Sequence, residues 1–180
     1  MAALIEANRL IETQAANQMK YECVRTPAQS ILKWRRSLNK DDITILKSIQ
    51  KNTEMAMKAI DTIEPKVQDR DLGALLAKTS QQYADLHQKS VTSLLEARVE
   101  PKGAGGLEQL MLVGSINGNT LLNTSTSHIA ELMIKGSNMG ITSLNKTLNH
   151  NPHGEQASMS LARELIQMEQ KNLEEYKKYL

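Results

Sequence analysis

Between Ser127 and Asn149 the apolar and small residues recur at steps of three and four. Ile129, Leu132, Met133, Gly136, Met139, Gly140, Ser143, Leu144 and Leu148 form this stripe, which predicts one face of a helix. Each interior glycine costs about 1 kcal/mol against alanine, so Gly136 and Gly140 imply close backbone packing on that face. A cleaner seam runs through 43–64, where Leu46, Ile49, Thr53, Ala56, Ile60 and Ile63 alternate steps of three and four. The next helix reads from Asp69 or Asp71, as cap, to about Arg98. Its seam is Leu76, Thr79, Tyr83, Leu86, Ser90, Ser93 and Ala97. A last helix over 155–178 buries Ser158, Leu161, Leu165, Met168, Asn172 and Tyr176 or Glu175. Shorter helices are expected at 2–23, from Pro27 to Leu38, and over 107–122, where Gly114 and Gly118 are spaced for close packing. Asp41 or Asp42 is the expected cap of the 43–64 helix.

Lengths suggest the topology. At about 1.5 Å per residue, the helices at 43–64, 69–98, 128–149 and 155–178 run roughly 33 to 45 Å and can lie side by side. The 107–122 helix, roughly 24 Å, is long enough to carry the chain most of the way back. The expectation is all-α: a four-helix bundle with one long helical crossover, plus an N-terminal helical extension. The competing arrangement is a five- or six-helix up-and-down bundle.

Composition narrows the class. There is no Phe, one Trp (Trp34) and nine Met in 180 residues. The core must therefore be Leu, Ile, Met and Ala, which suits helices. The lone Cys23 excludes an internal disulfide framework. No signal peptide and no apolar run near the roughly 18 residues of a membrane span is evident, so a cytoplasmic location is expected. The net charge of +2 is uneven. Residues 1–40 hold seven basic and three acidic side chains, and the remainder is net acidic. This step divides the chain into a basic helical extension, 1–40, and a bundle, 41–180.

Three stretches, AIDTIEPKV at 59–67, SHIAELMIKGSNMGI at 127–141 and MEQKNLEEYKKYL at 168–180, resemble small bacterial proteins of the ferritin-like superfamily. The likeness spans about 43–180 and implies the fold rather than an activity. Ferritin-like metal proteins hold two ions with one Glu on each of two helices and Glu-x-x-His on each of the other two. No Glu in this chain has His three residues later: Glu131 is followed by Ile134 and Glu164 by Gln167, and His87 is preceded at that step by Ala84. The resemblance therefore carries no ligands over.

What remains is a dispersed set of possible metal ligands, Glu54, His87, His128, Glu131 and Glu164, each beside a seam position. Solvated flanking faces are the simpler reading of them. His150 and His153 read as part of an interhelical turn. Cys23 has Lys20 and Arg25 near it but no His to act as a base. Lys33, Trp34, Arg35 and Arg36 are the best case for a partner-binding surface. The patch is too short to favour nucleic acid over a protein. No nucleophile constellation or phosphate loop occurs. The expected role is non-enzymatic: an interaction or oligomerisation module, with the N-terminal extension docking on the same chain, on a second copy or on another protein, and no cofactor. The alternative is a divergent ferritin-like protein binding iron or another divalent metal.

Overall fold

The computed structural model describes residues 37–103, 105, 111, 113–118 and 123–180. Lys33, Trp34, Arg35 and Arg36, and with them Cys23, lie outside the described residues. Every regular element among the described residues is helical. Helix α1 spans Lys40–Ile63, α2 Arg70–Glu96, α3 Thr126–His150 and α4 Gln156–Tyr176. Short 3-10 turns follow α1 (Glu64–Lys66, opened by Pro65) and α4 (Lys177–Tyr179).

Polar residues set the starts. Asn39 caps α1 by accepting from the Asp42 N–H at 2.9 Å, while the Asp42 carboxylate accepts from the Asn39 N–H at 3.1 Å. The cap is thus Asn39, one turn earlier than Asp42. Asp42 fills the reciprocal position of a capping box. Asp69 caps α2 and Ser125 caps α3 in the same manner.

α1 packs on α2, α3 and α4, and α4 also packs on α2 and α3. Residue pairs give the directions. Ser48 meets Thr147 at 3.0 Å, whereas Asn52 stands beside Gly140, so α1 and α3 are antiparallel. Lys89 meets Glu164 and Gln82 meets Asn172, so α2 and α4 are antiparallel as well. The short turn at 64–69 reverses α1 into α2, which leaves α2 and α3 running the same way. The chain must therefore return along the helices between Glu96 and Thr126. Residues 113–118 are helical on that return, Ile116 is buried in the shared core, and Asn117 accepts from Lys66 Nζ at 2.7 Å beside the α1–α2 turn.

The core draws on Ile45, Ile49, Ile60, Leu72, Leu76, Leu94, Ile129, Leu144, Leu165 and the rings of Tyr83 and Tyr176. Some expected seam positions shift. α2 buries Leu94 instead of Ser93 and Ala97, because a leucine one residue on fills the same layer with apolar volume. α3 buries Ile129, Ala130, Met133, Ser137 and Leu144. The stripe read from sequence ran from the buried face onto the flank beside it, and Gly136 and Met139 lie outside. The glycine expectation holds for Gly140 alone. A Cβ on Gly114, Gly118 or Gly136 would meet nothing within 4 Å among the described residues.

At one end, α1 is clipped to the α3–α4 turn. Asn39 Nδ2 donates to the His153 carbonyl at 2.9 Å, the His153 N–H donates to Asp41 at 2.9 Å, and the Glu155 N–H donates to Asp42 Oδ1 at 2.7 Å. Asp42 is 0% exposed. Its carboxylate serves the first turn of two helices at once, where exposed N–H groups and the helix dipoles favour negative charge.

Candidate functional site

Among the described residues, the one buried carboxylate at mid-height belongs to Glu169 of α4, 2% exposed. Each of the other three long helices sends a small or polar group toward it. Tyr83 of α2 and Ser137 of α3 turn their hydroxyls to the carboxyl. On α3, Gly140 leaves room for it: a Cβ there would lie 3.0 Å from Glu169 Oε1 and 3.7 Å from Asn52 Oδ1 of α1. Asn52 donates its amide hydrogen to the Ser48 carbonyl at 2.8 Å, so its carbonyl oxygen faces this space. Two acceptors, Asn52 Oδ1 and Glu169 Oε1, thus lie together beside the place a Gly140 side chain would take.

Burial pushes the Glu169 carboxyl above its ordinary value, and the Ser137 and Tyr83 hydroxyls offset part of that. Glu169 Oε2 and Ser137 Oγ nonetheless have no partner at hydrogen-bonding geometry. Tyr83 is raised well above the usual phenol range, first by burial and then by the Glu169 charge. Two turns along α4, burial pushes Tyr176 up to about 12. Its hydroxyl has no partner at hydrogen-bonding geometry, and the neighbouring Thr79 donates to the Leu75 carbonyl at 2.8 Å.

This last feature predicts a response to alkali. A phenol held near 12 when folded and near 10 when unfolded keeps its full contribution below pH 10 and loses it as pH rises towards 12. The loss amounts to about 2 to 3 kcal/mol. Urea unfolding at pH 9, 10 and 11 is expected to fall more steeply for wild type than for Tyr176→Phe, with the Tyr83 share left in both. Parallel curves would remove Tyr176 as the cause.

Three seam hydroxyls are satisfied within their own helices. Thr53 donates to the Ile49 carbonyl at 2.9 Å, Ser90 to the His87 carbonyl at 2.7 Å and Ser93 to the Lys89 carbonyl at 3.0 Å. This back-bonding along the helix removes the cost of an orphan hydroxyl. Asn172 donates to Gln82 across helices at 3.1 Å.

The metal-ligand candidates from sequence do not converge. His87 Nδ1 sits 3.1 Å from Thr53 Oγ1. Glu54 lies under Gly103. Glu164 pairs with Lys89 at 2.7 Å on an open face. His128 Nδ1 is 3.6 Å from Glu131 Oε2 at the start of α3, with Glu131 largely exposed. Among the described residues no three His, Cys, Asp or Glu side chains stand together as a metal site. The reason is periodicity: each candidate lies one position off the seam, which is a rotation of about 100° away from the core. His150 and His153 belong to the turn. The His150 ring bonds the Lys146 carbonyl at 2.7 Å, and His153 takes part through its backbone.

Glu169 was missed. The interval from Leu165 to Asn172 is seven residues, and it divides equally well through Met168 or through Glu169. Hydrophobicity favoured Met168, which proves half-buried. The available signal was the pair of nearby polar seam residues, Asn172 and Tyr176.

Outside, α3 forms a shallow groove with the chain's last residue. Glu131, Ile134, Lys135, Asn138, Met139, Thr142, Ser143, Lys146 and Leu180 line it, enclosing about 770 Å³. Met139 and Leu180 are 67% and 63% exposed.

No protein-family model, curated protein or solved structure matches the chain. Among the described residues no helix is long and apolar enough to cross a membrane.

Proposed function

We infer that the chain is a non-enzymatic helical bundle, a four-helix arrangement of ferritin-like type with a long crossover, and that it works by binding another protein or a second copy of itself. The directions of the four helices support the arrangement: α1–α2, α1–α3, α2–α4 and α3–α4 are antiparallel, while α1 and α4 are parallel to each other, as are α2 and α3. One observation carries the functional reading. The mid-height layer, where a two-metal centre needs several carboxylates and two imidazoles, is built from Asn52, Tyr83, Ser137, Gly140 and the single carboxylate of Glu169. Such a layer can specify how the helices pair, while the exposed groups of α3 are left for a partner.

A second reading has one observation in its favour. Glu169 Oε2 and Ser137 Oγ are orphaned beside Tyr83, and Asn52 Oδ1 faces the same carboxyl. This all-oxygen set suits one hard divalent cation, such as iron(II) or manganese(II), better than zinc. Elemental analysis of protein purified without chelator and then supplemented decides between the two. The first reading expects less than about a tenth of an equivalent of any divalent metal and no rise in melting temperature. One retained equivalent that stabilises the fold, and disappears in Glu169→Gln, would replace it with the second.

A further inference from the structure

The groove on α3 is symmetric along its helix. Its eight helical positions are 131, 134, 135, 138, 139, 142, 143 and 146. They mirror one another about the midpoint between Asn138 and Met139. Any helical stripe has this spacing, but the charges on it need not match. Here they do. If a second α3 is laid antiparallel over the first with that midpoint on a two-fold axis, Glu131 of each copy faces Lys146 of the other. Lys135 then faces Thr142, Ile134 faces Ser143, and Asn138 and Met139 meet at the axis. No like charges oppose each other.

We propose that this outer face of α3 is a two-fold interface between two copies of the chain, with Met139 at its centre and Glu131–Lys146 pairs at both ends. The proposal rests on the reading of the chain as an interaction module and names its partner. Three observations carry it. Met139, 67% exposed, stands at the middle of the face and shares the groove with Leu180, 63% exposed, so two large apolar side chains lie open on one surface. Gly136 borders the face with open space where a Cβ would stand, so a second helix can come close there. Lys135 and Lys146 form no ion pair with any described residue, and Glu131 has only His128, at 3.6 Å. Other occupants fit less well. The first forty residues are net basic and would meet Lys135 and Lys146, whereas a purely acidic partner would meet Glu131. The chain's own face, turned over, answers both signs. A crossing near 20° lets the two helices stay in contact over the length from Glu131 to Lys146. One helix pair is a small interface, so the dimer is weak and concentration-dependent.

Sedimentation equilibrium of the full chain at several concentrations and two salt levels tests this. Wild type is expected to show a monomer–dimer equilibrium that weakens as salt rises. Glu131→Lys sets lysine against lysine, and Lys146→Glu sets glutamate against glutamate. Each variant alone is expected to dissociate at least tenfold more readily. An equimolar mixture of the two should recover a heterodimer, since each Glu131→Lys chain then meets a Lys146→Glu chain with opposite charges at both ends. Met139→Glu, at the axis, should abolish association in every mixture. All three positions are solvent-facing, and circular dichroism confirms that each variant keeps its helix content. A strictly monomeric wild type, or a dimer indifferent to both charge reversals, would overturn the two-fold face. That outcome leaves the interaction reading standing with a different partner, whereas a stoichiometric stabilising metal removes the interaction reading whatever the dimer does.

Discussion

Replacing Asp42 with alanine is expected to destabilise the protein by about 3 kcal/mol, lowering its melting temperature by roughly 10 °C. The carboxylate is fully buried and accepts from two backbone N–H groups, those of Asn39 and Glu155. Those donors stand at the starts of α1 and α4, where no carbonyl of the helix can replace the lost acceptor. The penalty is therefore that of two stranded donors at adjacent helix ends. Asp41→Ala is the control. It loses one bond, to the His153 N–H, at a site that water reaches, and should cost under about 1 kcal/mol. Equal losses for the two variants in thermal and urea unfolding would mean that the buried clip has no special role.

The second large effect concerns Glu169 and is read against pH. Its folded value lies above the ordinary 4.5, and burial is the main cause. The folded protein therefore holds this proton more tightly than the unfolded chain. The associated stability is complete below about pH 4.5 and is lost as pH rises through the folded value. Glu169→Gln copies the protonated side chain in shape and cannot ionise. It should match wild type near pH 4.5 and become progressively more stable than wild type as pH rises to 8. Glu169→Ala, compared at pH 5, should lose about 3 kcal/mol, since it opens a void and removes the carboxyl beside the buried Tyr83 hydroxyl. Urea titrations at pH 4.5, 6, 7 and 8 check both. Wild type and Glu169→Gln falling in parallel would show that Glu169 carries no part of the pH dependence.

The long helices were legible because their apolar residues repeat faithfully and their ends are marked. Pro65, Asp69 and the Asn-Pro turn at 151–152 stop or start helices for local reasons that the chain states openly. The inner layer was harder to read. Thr53, Thr79 and Ser90 fall on the seam and could be placed from spacing alone. Glu169 could not, because a buried acid is tolerated only through groups on other helices: the room left by Gly140, the hydroxyls of Tyr83 and Ser137, the amide of Asn52. Those relations are tertiary. Gly136 and Gly140 make the same point. Four residues apart on one helix, they look equivalent in sequence, yet one lies against a carboxylate and the other opens to solvent. The surface candidates failed for a simpler reason. Glu54, Glu131 and Glu164 are compatible with a metal site in type but not in rotation about their helices.

Leu180 forms part of the wall of the α3 groove, which has a practical consequence for anyone handling the protein. A purification tag or fluorescent fusion appended there emerges against Met139 and the two lysines, where it acts as a competitor for the face. The chain's two poles are not interchangeable as attachment points. The beginning of α1 lies with the α3–α4 turn, whereas the end of α4 lies some 30 Å away along the helix. A protein labelled at its carboxyl end reports on a surface it has itself covered.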